Sequence, residues 1–339
     1  MSEKRLLSLR HPSGISVQVD PVGAALREVQ VLNAFGNFSN IALCPLPPAP
    51  PVRDASYAGT TLAPCAGRIP QGRLQLEVTS VQLPLNDGAN HLHGGGTLSF
   101  ARWETTGVTP HPQGEQCSFR FFAVDGLDGY PGNREFTVTY TLARDGSLCI
   151  SYRAVSDRPT WVNLSNHAYW NLSGDFTGTV HGHRLQLASR EVYANDEAHL
   201  PVSRQPVGGT AFDFRAPRSL AEAMEAYPQD RQLAIARGYN HTFVLEGSGS
   251  GDRKPEAAPA ATITEDSTGR RLRLYTDYPA LVLYTGGYLQ AGMPLCGGGK
   301  ASPSCALALE PQELPGSASC LLRPGEVRQR LIRFVFDTV

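Results

Sequence analysis

The chain carries almost no excess charge of either sign: 30 Lys plus Arg stand against 31 Asp plus Glu, for a formal net charge of -1. It therefore offers no long-range attraction to nucleic acid or to an anionic membrane. No stretch approaches the roughly 20 apolar residues that a bilayer-spanning helix requires. Seven cysteines (Cys44, Cys65, Cys117, Cys149, Cys296, Cys305, Cys320) are odd in number and scattered, without a Cys-x-x-Cys pair. That pattern argues against both a disulfide framework and a zinc ribbon. The amino end, Met1 to His11, has charges on both sides of a very short apolar stretch and lacks the apolar segment of a secretory signal. These absences predict a protein of the reducing cytoplasm, with no nucleic-acid or membrane partner, that acts on a small or neutral ligand.

Helical periodicity is also nearly missing. The one candidate helix is Ser219 to Tyr227, with Ser219 as its cap. What is present instead is period-two alternation. Phe136, Val138, Tyr140 and Leu142 alternate with threonines, turn at Asp145-Gly146, and resume through Leu148, Ile150 and Tyr152, a hairpin with one buried face. Similar runs occur at Ile15 to Val19, Leu74 to Val78, Phe119 to Val124, Leu185 to Leu187, Ala261 to Thr264, Leu272 to Tyr275, Leu281 to Tyr288 and Val327 to Phe336. Many strands with little helix predict an all-β fold, a large antiparallel β-sandwich. Pro45 to Pro51, Gly247 to Ala260 and Ala291 to Ser304 read as surface loops, not domain linkers, because the same strand patterning lies on both sides of each. No internal repeat points to a propeller or solenoid.

Two histidine segments carry the chemical signal: Asn90-His-Leu-His-Gly-Gly95 and Asn163-Leu-Ser-Asn-His-Ala-Tyr-Trp-Asn-Leu-Ser-Gly174. In a strand, residues two apart share a face, so His91 and His93 are expected to project together. A His-x-His pair with a third histidine and a glutamate is a possible Zn²⁺ or Fe²⁺ ligand set of the cupin kind. Residues 94–103 separate the pair from Glu104, however, which is the wrong spacing. The bland alternative for His93 is a turn residue satisfying backbone groups. His167 is flanked by polar Asn163, Ser165, Asn166 and Asn171 within apolar surroundings, and buried polar groups need partners, of which a ligand can be one. Glu310 ends the interior-type run Ala306-Leu-Ala-Leu309, where desolvation raises a carboxyl pKa; a structural ion pair is its bland reading. An acid and a base from distant segments suit proton transfer on a small molecule.

The order Gly67-Arg-Ile-Pro-Gln-Gly72, Asn90-His-Leu-His-Gly-Gly95, Asp128-Gly-Tyr-Pro-Gly-Asn133, Asn163-Leu-Ser-Asn-His-Ala-Tyr-Trp-Asn-Leu172, Gly209-Thr-Ala-Phe-Asp-Phe-Arg215, Gly238-Tyr-Asn-His-Thr-Phe-Val-Leu245, Tyr284-Thr-Gly286 and Leu309-Glu-Pro-Gln312 resembles the aldose 1-epimerase (galactose mutarotase) family over nearly the whole chain. The resemblance implies a single β-supersandwich domain over residues 1–339. It also implies cofactor-independent, metal-free interconversion of the α and β anomers of a free aldose. Carried over by motif, Glu310 resembles the general base at the anomeric hydroxyl and His167 the general acid at the ring oxygen. His93 resembles the assisting histidine, Arg68 the arginine that anchors sugar hydroxyls, and Asn240 stands at a sugar-binding position; His91 is a bystander.

The chain departs from the family pattern where Gly67 replaces Asn, Asn240 replaces Asp, Val282 replaces Gln and Gly287 replaces Asn. The proton-transfer groups are kept while the sugar-reading shell is altered, which implies a preferred sugar other than galactose. Two further classes stay open, a non-catalytic sugar-binding or sensor protein on the same fold and a metal-dependent cupin-like enzyme. Phosphorylated sugars are disfavoured for want of a phosphate cradle, although Arg68, Arg73 and Arg215 could supply charge.

Overall fold

The structure is a computed structural model that describes residues 6–47, 54–247 and 258–339. Residues 1–5 of the amino-terminal segment, and parts of the loops expected at Pro45 to Pro51 and Gly247 to Ala260, lie outside the described residues. Nine antiparallel strands form the larger sheet, in the order Glu104–His111, Gly114–Ala123, Arg134–Ala143, Leu148–Ser156, Arg328–Thr338, Arg270–Thr276, Ala261–Glu265, Arg184–Leu187 and Arg218–Ser219. Six more form a second sheet: Tyr169–Trp170, Leu307–Gln312, Ala280–Tyr284, Asn240–Leu245, Ser189–Asn195 and Pro201–Pro206. A four-stranded sheet, Leu7–Arg10 to Phe38–Asn40, adds to the amino-terminal side. The all-β sandwich expected from period-two alternation is the architecture observed.

The two large sheets share one hydrophobic core. Phe136, Ile150, Leu272, Leu274, Ile332 and Phe334 from the larger sheet meet Phe243, Leu281, Leu283, Leu307 and Leu309 from the smaller. Trp170 reaches across, its ring centroid 4.8 Å from Phe334 and 5.9 Å from Phe336. Since side chains alternate across a strand, committing Leu307 and Leu309 to this core sends Ala308, Glu310 and Gln312 to the opposite face. Register then fixes their neighbours: Val282 pairs with Glu310, Thr242 with Val282, and Asn240 with Tyr284. The outer face of the six-stranded sheet is thereby given a polar row on an otherwise apolar scaffold.

The expected hairpin is present as Arg134–Ala143 paired with Leu148–Ser156. Ser219 caps the helix Leu220–Glu225 through a reciprocal capping box with Glu222, which satisfies two end amides that no helical carbonyl can reach. Three expectations change. The run at Leu281 to Tyr288 stops pairing at Tyr284, since Gly286 takes φ +69° and turns the chain. Ala291 to Ser304 is not all loop but holds the strand pair Met293–Pro294 and Lys300–Ala301. A short helix at Arg231–Ala236, capped by Asp230, was not expected, because two turns of apolar spacing are too brief to stand out. No helix among the described residues is long and apolar enough to cross a membrane.

Candidate active site

A cavity of about 480 Å³ opens on the outer face of the six-stranded sheet, and Arg68, His93, His167, Asn240 and Glu310 all line it. His91 does not. It is fully buried elsewhere, its Nδ1 2.6 Å from the Pro84 carbonyl and its ring edge-on to Tyr130. The expectation that His91 and His93 share a face fails because His93 is not in an extended strand: its φ is +47°, at the start of a tight turn through Gly94 and Gly95. That twist breaks the period-two rule and aims the two rings apart.

His167 is placed by backbone pairing. Ser165–Asn166 pairs with Thr61–Leu62, the His167 amide donates to the Thr60 carbonyl at 3.0 Å, and its carbonyl accepts from Gly59 at 2.9 Å. The crowded asparagines around it bond mainly the backbone, although Asn163 also lines the cavity. Asn166 Nδ2 donates to the Gly59 carbonyl, Asn171 Nδ2 to the Asp175 and Cys305 carbonyls, and Asn163 Oδ1 accepts from the Glu313 amide. The imidazole stacks on Tyr169 at 4.7 Å, and its Nδ1 has no partner among the described residues.

Glu310 Oε1 lies 3.6 Å from His167 Nε2, with Glu310 3% and His167 5% exposed. Burial pushes the Glu310 carboxyl up to about 8, against the pull of Arg68 and a hydrogen bond from Gln312 Nε2 at 3.2 Å. Burial likewise pushes His167 down to about 4. Each charged form is costly away from water, so the pair settles into a neutral acid beside a neutral imidazole, with one proton between them. Gln312 was not singled out from the sequence. Its position two residues beyond Glu310, on the same face of a strand, is the signal that marks it.

His93 and Gly67 hold one another. The Gly67 amide donates to His93 Nδ1 at 3.2 Å and the His93 amide to the Gly67 carbonyl at 3.1 Å. An imidazole accepting at Nδ1 carries its proton on Nε2 when neutral, and burial with His167 and Arg68 nearby drives the His93 pKa well below its usual value. His93 is thus set as a neutral donor. Its ring meets His167 edge-on at 5.4 Å. Arg68 pairs through Nε with Asp87 Oδ2 at 2.7 Å, which orients a guanidinium that still lines the cavity.

The ligand atoms of His93, His167 and Glu310 all lie within 4.8 Å of one another, a spacing that a divalent cation could bridge. The His-x-His ligand set considered from the sequence is not assembled, since His91 points elsewhere. His93 also reaches this cluster with its Nδ1 already engaged by Gly67, so one nitrogen remains for any ligand.

The substituted positions differ in kind. At Gly287 a Cβ would lie 2.3 Å from the Arg237 carbonyl oxygen, so the backbone excludes a side chain. At Gly67, with φ +79°, a Cβ would come within 3.0 Å of Gln312 Oε1, and the Gln312 amide occupies that space. Val282 lines the cavity beside Glu310 with nothing polar in its place.

The sequence profile of the family described as Aldose 1-epimerase matches residues 5–334. The aldose 1-epimerase of Escherichia coli is 32% identical over 98% of this chain and 95% of its own length. The galactose mutarotase of Mus musculus is 31% identical over 95% of this chain and 91% of its own. The crystal structure of galactose 1-epimerase from Lactobacillus acidophilus superposes with a TM-score of 0.84 at 29% identity, covering 100% of this chain and 96% of that one.

Infrared difference spectroscopy checks the protonation of the pair. A protonated carboxyl band is expected at neutral pH, bleaching through about 8 and missing in Glu310→Gln. A carboxylate already formed in mild acid would contradict it.

Proposed function

The chain belongs to the aldose 1-epimerase family and is an isomerase, and from that premise we propose that Glu310 and His167 are the proton-transfer pair that opens and recloses a free aldose. The observation that carries this reading is their 3.6 Å approach at the buried floor of the cavity. As base, the Glu310 carboxylate takes the proton of the anomeric hydroxyl. As acid, the His167 imidazolium gives a proton to the ring oxygen, and the ring opens to the aldehyde. Rotation about the C1–C2 bond presents the other carbonyl face. Reclosure then runs with Glu310 protonating the carbonyl oxygen and His167 removing the proton from the attacking hydroxyl. His93 donates toward the ring oxygen, while Arg68 and Asn240 hold hydroxyls.

Opening uses carboxylate with imidazolium, and closure uses carboxylic acid with imidazole. Both states hold one proton, and microscopic reversibility requires both. The neutral pair favoured by burial is the closing form, and a bound sugar, by offering hydrogen bonds to the ionised form, is what shifts the proton to His167 for opening.

The site also orients the sugar. Tyr169–Trp170 and Ala280–Tyr284 flank the Leu307–Gln312 strand on opposite sides, so His167, stacked on Tyr169, and Val282 lie on opposite sides of Glu310. C1 has two ring neighbours, the ring oxygen and C2. With the ring oxygen at His167, C2 faces Val282 and Thr242. An isopropyl group cannot hold a hydroxyl, and this wall reads C2 weakly, which favours a sugar other than galactose.

Glu310→Gln and His167→Asn are each expected to lower kcat by about a hundred- to ten-thousand-fold, measured by anomer-exchange NMR or polarimetry. Parental rates in both would refute the assignment. For the parent, kcat/KM is expected to be level between about 4 and about 8, falling below as His167 takes a second proton and above as Glu310 loses the last one. A rate that climbs through about 8 would show that the carboxylate alone is needed. Val282→Gln is expected to improve kcat/KM for galactose relative to 2-deoxygalactose by about two- to tenfold, the worth of one neutral hydrogen bond. An unchanged ratio would place C2 elsewhere.

A further inference from the structure

Outside the cavity floor, one cluster of reactive side chains has no part in the chemistry above. An antiparallel bridge joins Pro45 to Leu295. On either side of it the Leu46 amide donates to the Pro294 carbonyl, and the Cys296 amide to the Cys44 carbonyl, both at 2.8 Å. That register sets Cys44 directly opposite Cys296. Directly opposed, hydrogen-bonded residues of antiparallel strands have Cα atoms about 5.5 Å apart, inside the roughly 4.4–6.8 Å that a disulfide spans. Their side chains leave the same face, and the Cys296 thiol donates to the Pro45 carbonyl at 3.3 Å.

The two thiols are unequal. Cys296 is exposed and Cys44 half-buried, and both are free. Arg27, whose guanidinium donates to the Pro45 carbonyl at 3.3 Å and to the Ala58 carbonyl at 3.4 Å, lies beside them. The adjacent Cys44 thiol, aided by Arg27, draws the Cys296 thiol below its ordinary value, while Cys296 and burial push Cys44 up. An accessible thiolate beside a resolving thiol is the arrangement in which peroxide oxidation ends in a disulfide.

We propose that Cys44 and Cys296 form a thiol–disulfide site that hydrogen peroxide closes, stapling the 293–301 hairpin at the cavity rim to the segment around residue 44. The Cys296 thiolate attacks the O–O bond, giving a sulfenic acid and hydroxide. The Cys44 sulfur then attacks the sulfenic sulfur, the S–S bond forms, and the hydroxyl leaves as water with the Cys44 proton. In sum two thiols and one peroxide give one disulfide and two waters, and a dithiol reverses it. The staple reaches the cavity through its neighbours. Gln290 and Met293 line the rim, and Leu295 packs in one cluster with Leu43, Tyr169 and Tyr284, the aromatic rings that back His167.

The test treats the full chain with hydrogen peroxide, blocks remaining thiols with an alkylating reagent, and maps peptides by mass spectrometry. The expected product joins the peptides of Cys44 and Cys296 with loss of two hydrogens, and dithiothreitol restores both thiols. In Cys296→Ser the cross-link is absent and Cys44 stays alkylatable. Oxidation is also expected to slow proteolysis at Gly297–Gly298–Gly299 severalfold in the parent and not in Cys44→Ser. Cys296 passing to the sulfinic acid with Cys44 still alkylatable, or Cys44 pairing with a different cysteine, would overturn the proposal. Equal proteolysis of oxidised and reduced chains would overturn the staple.

Discussion

The strand Leu307–Gln312 is the constraint on which the site depends. Its six residues are all buried, so each face must be matched by what covers it. Leu307 and Leu309 meet the core between the sheets, and this alone fixes Ala308, Glu310 and Gln312 on the other side. A one-residue slip would drive the Glu310 carboxylate into hydrocarbon and expose two leucines, so register and chemistry are secured by the same burial. The neighbouring strand brings Val282 and Tyr284 to the same face, and the short Tyr169–Trp170 pairing brings Tyr169. One of that pair, Trp170, plugs the core while the other carries the His167 stack.

Burying a carboxyl and an imidazole together has a consequence for reversible chemistry. Neither ion is favoured alone away from water, so burial raises one pKa and lowers the other until the pair prefers neutrality. On the proposed assignment, that inversion of the ordinary carboxylate–imidazolium order makes the neutral closing form the resting state, so the shift to the opening form falls to the bound sugar. A catalyst of an equilibrium near balance needs both states within reach, one for opening and one for closing. A strong surface ion pair would lock the first and starve the second. Tyr169 and Tyr284 turn ring surface toward the imidazole, which adds to its desolvation.

The strand pattern, the hairpin at residues 134–156, the Ser219 cap, and the convergence of His93, His167 and Glu310 were legible because each rests on local periodicity or on residue order along the chain. What was not legible depends on tertiary geometry. By strand period alone His91 looked equivalent to His93; the resemblance set it aside as a bystander, and the left-handed conformation at residue 93 is what separates the two. The asparagines around His167 looked like ligand groups, yet they bond backbone carbonyls and amides from segments more than a hundred residues away in sequence, such as Gly59 for Asn166 and Cys305 for Asn171. Asp87, which orients Arg68, belongs to no periodic pattern that would single it out, whereas Gln312, which touches Glu310, shares its strand face two residues on.

The departures from the family pattern become separable once their surroundings are known. Gly287 is required by the Arg237 carbonyl, so its missing side chain is a matter of chain path. At Gly67 the polar group lost from the backbone position is replaced in space by the Gln312 amide, which itself contacts Glu310. Asn240 keeps an acceptor oxygen and loses a charge, a change that leaves a hydroxyl partner in place. Val282 has no such compensation: its register partners Thr242 and Glu310 are both polar, and it alone among the three turns an apolar surface to the cavity. An unpaired hydroxyl facing it would lose its water without gaining a partner, a cost of about 1–3 kcal/mol. On the proposed orientation, the sugar preference would turn on C2, the ring carbon that meets Val282.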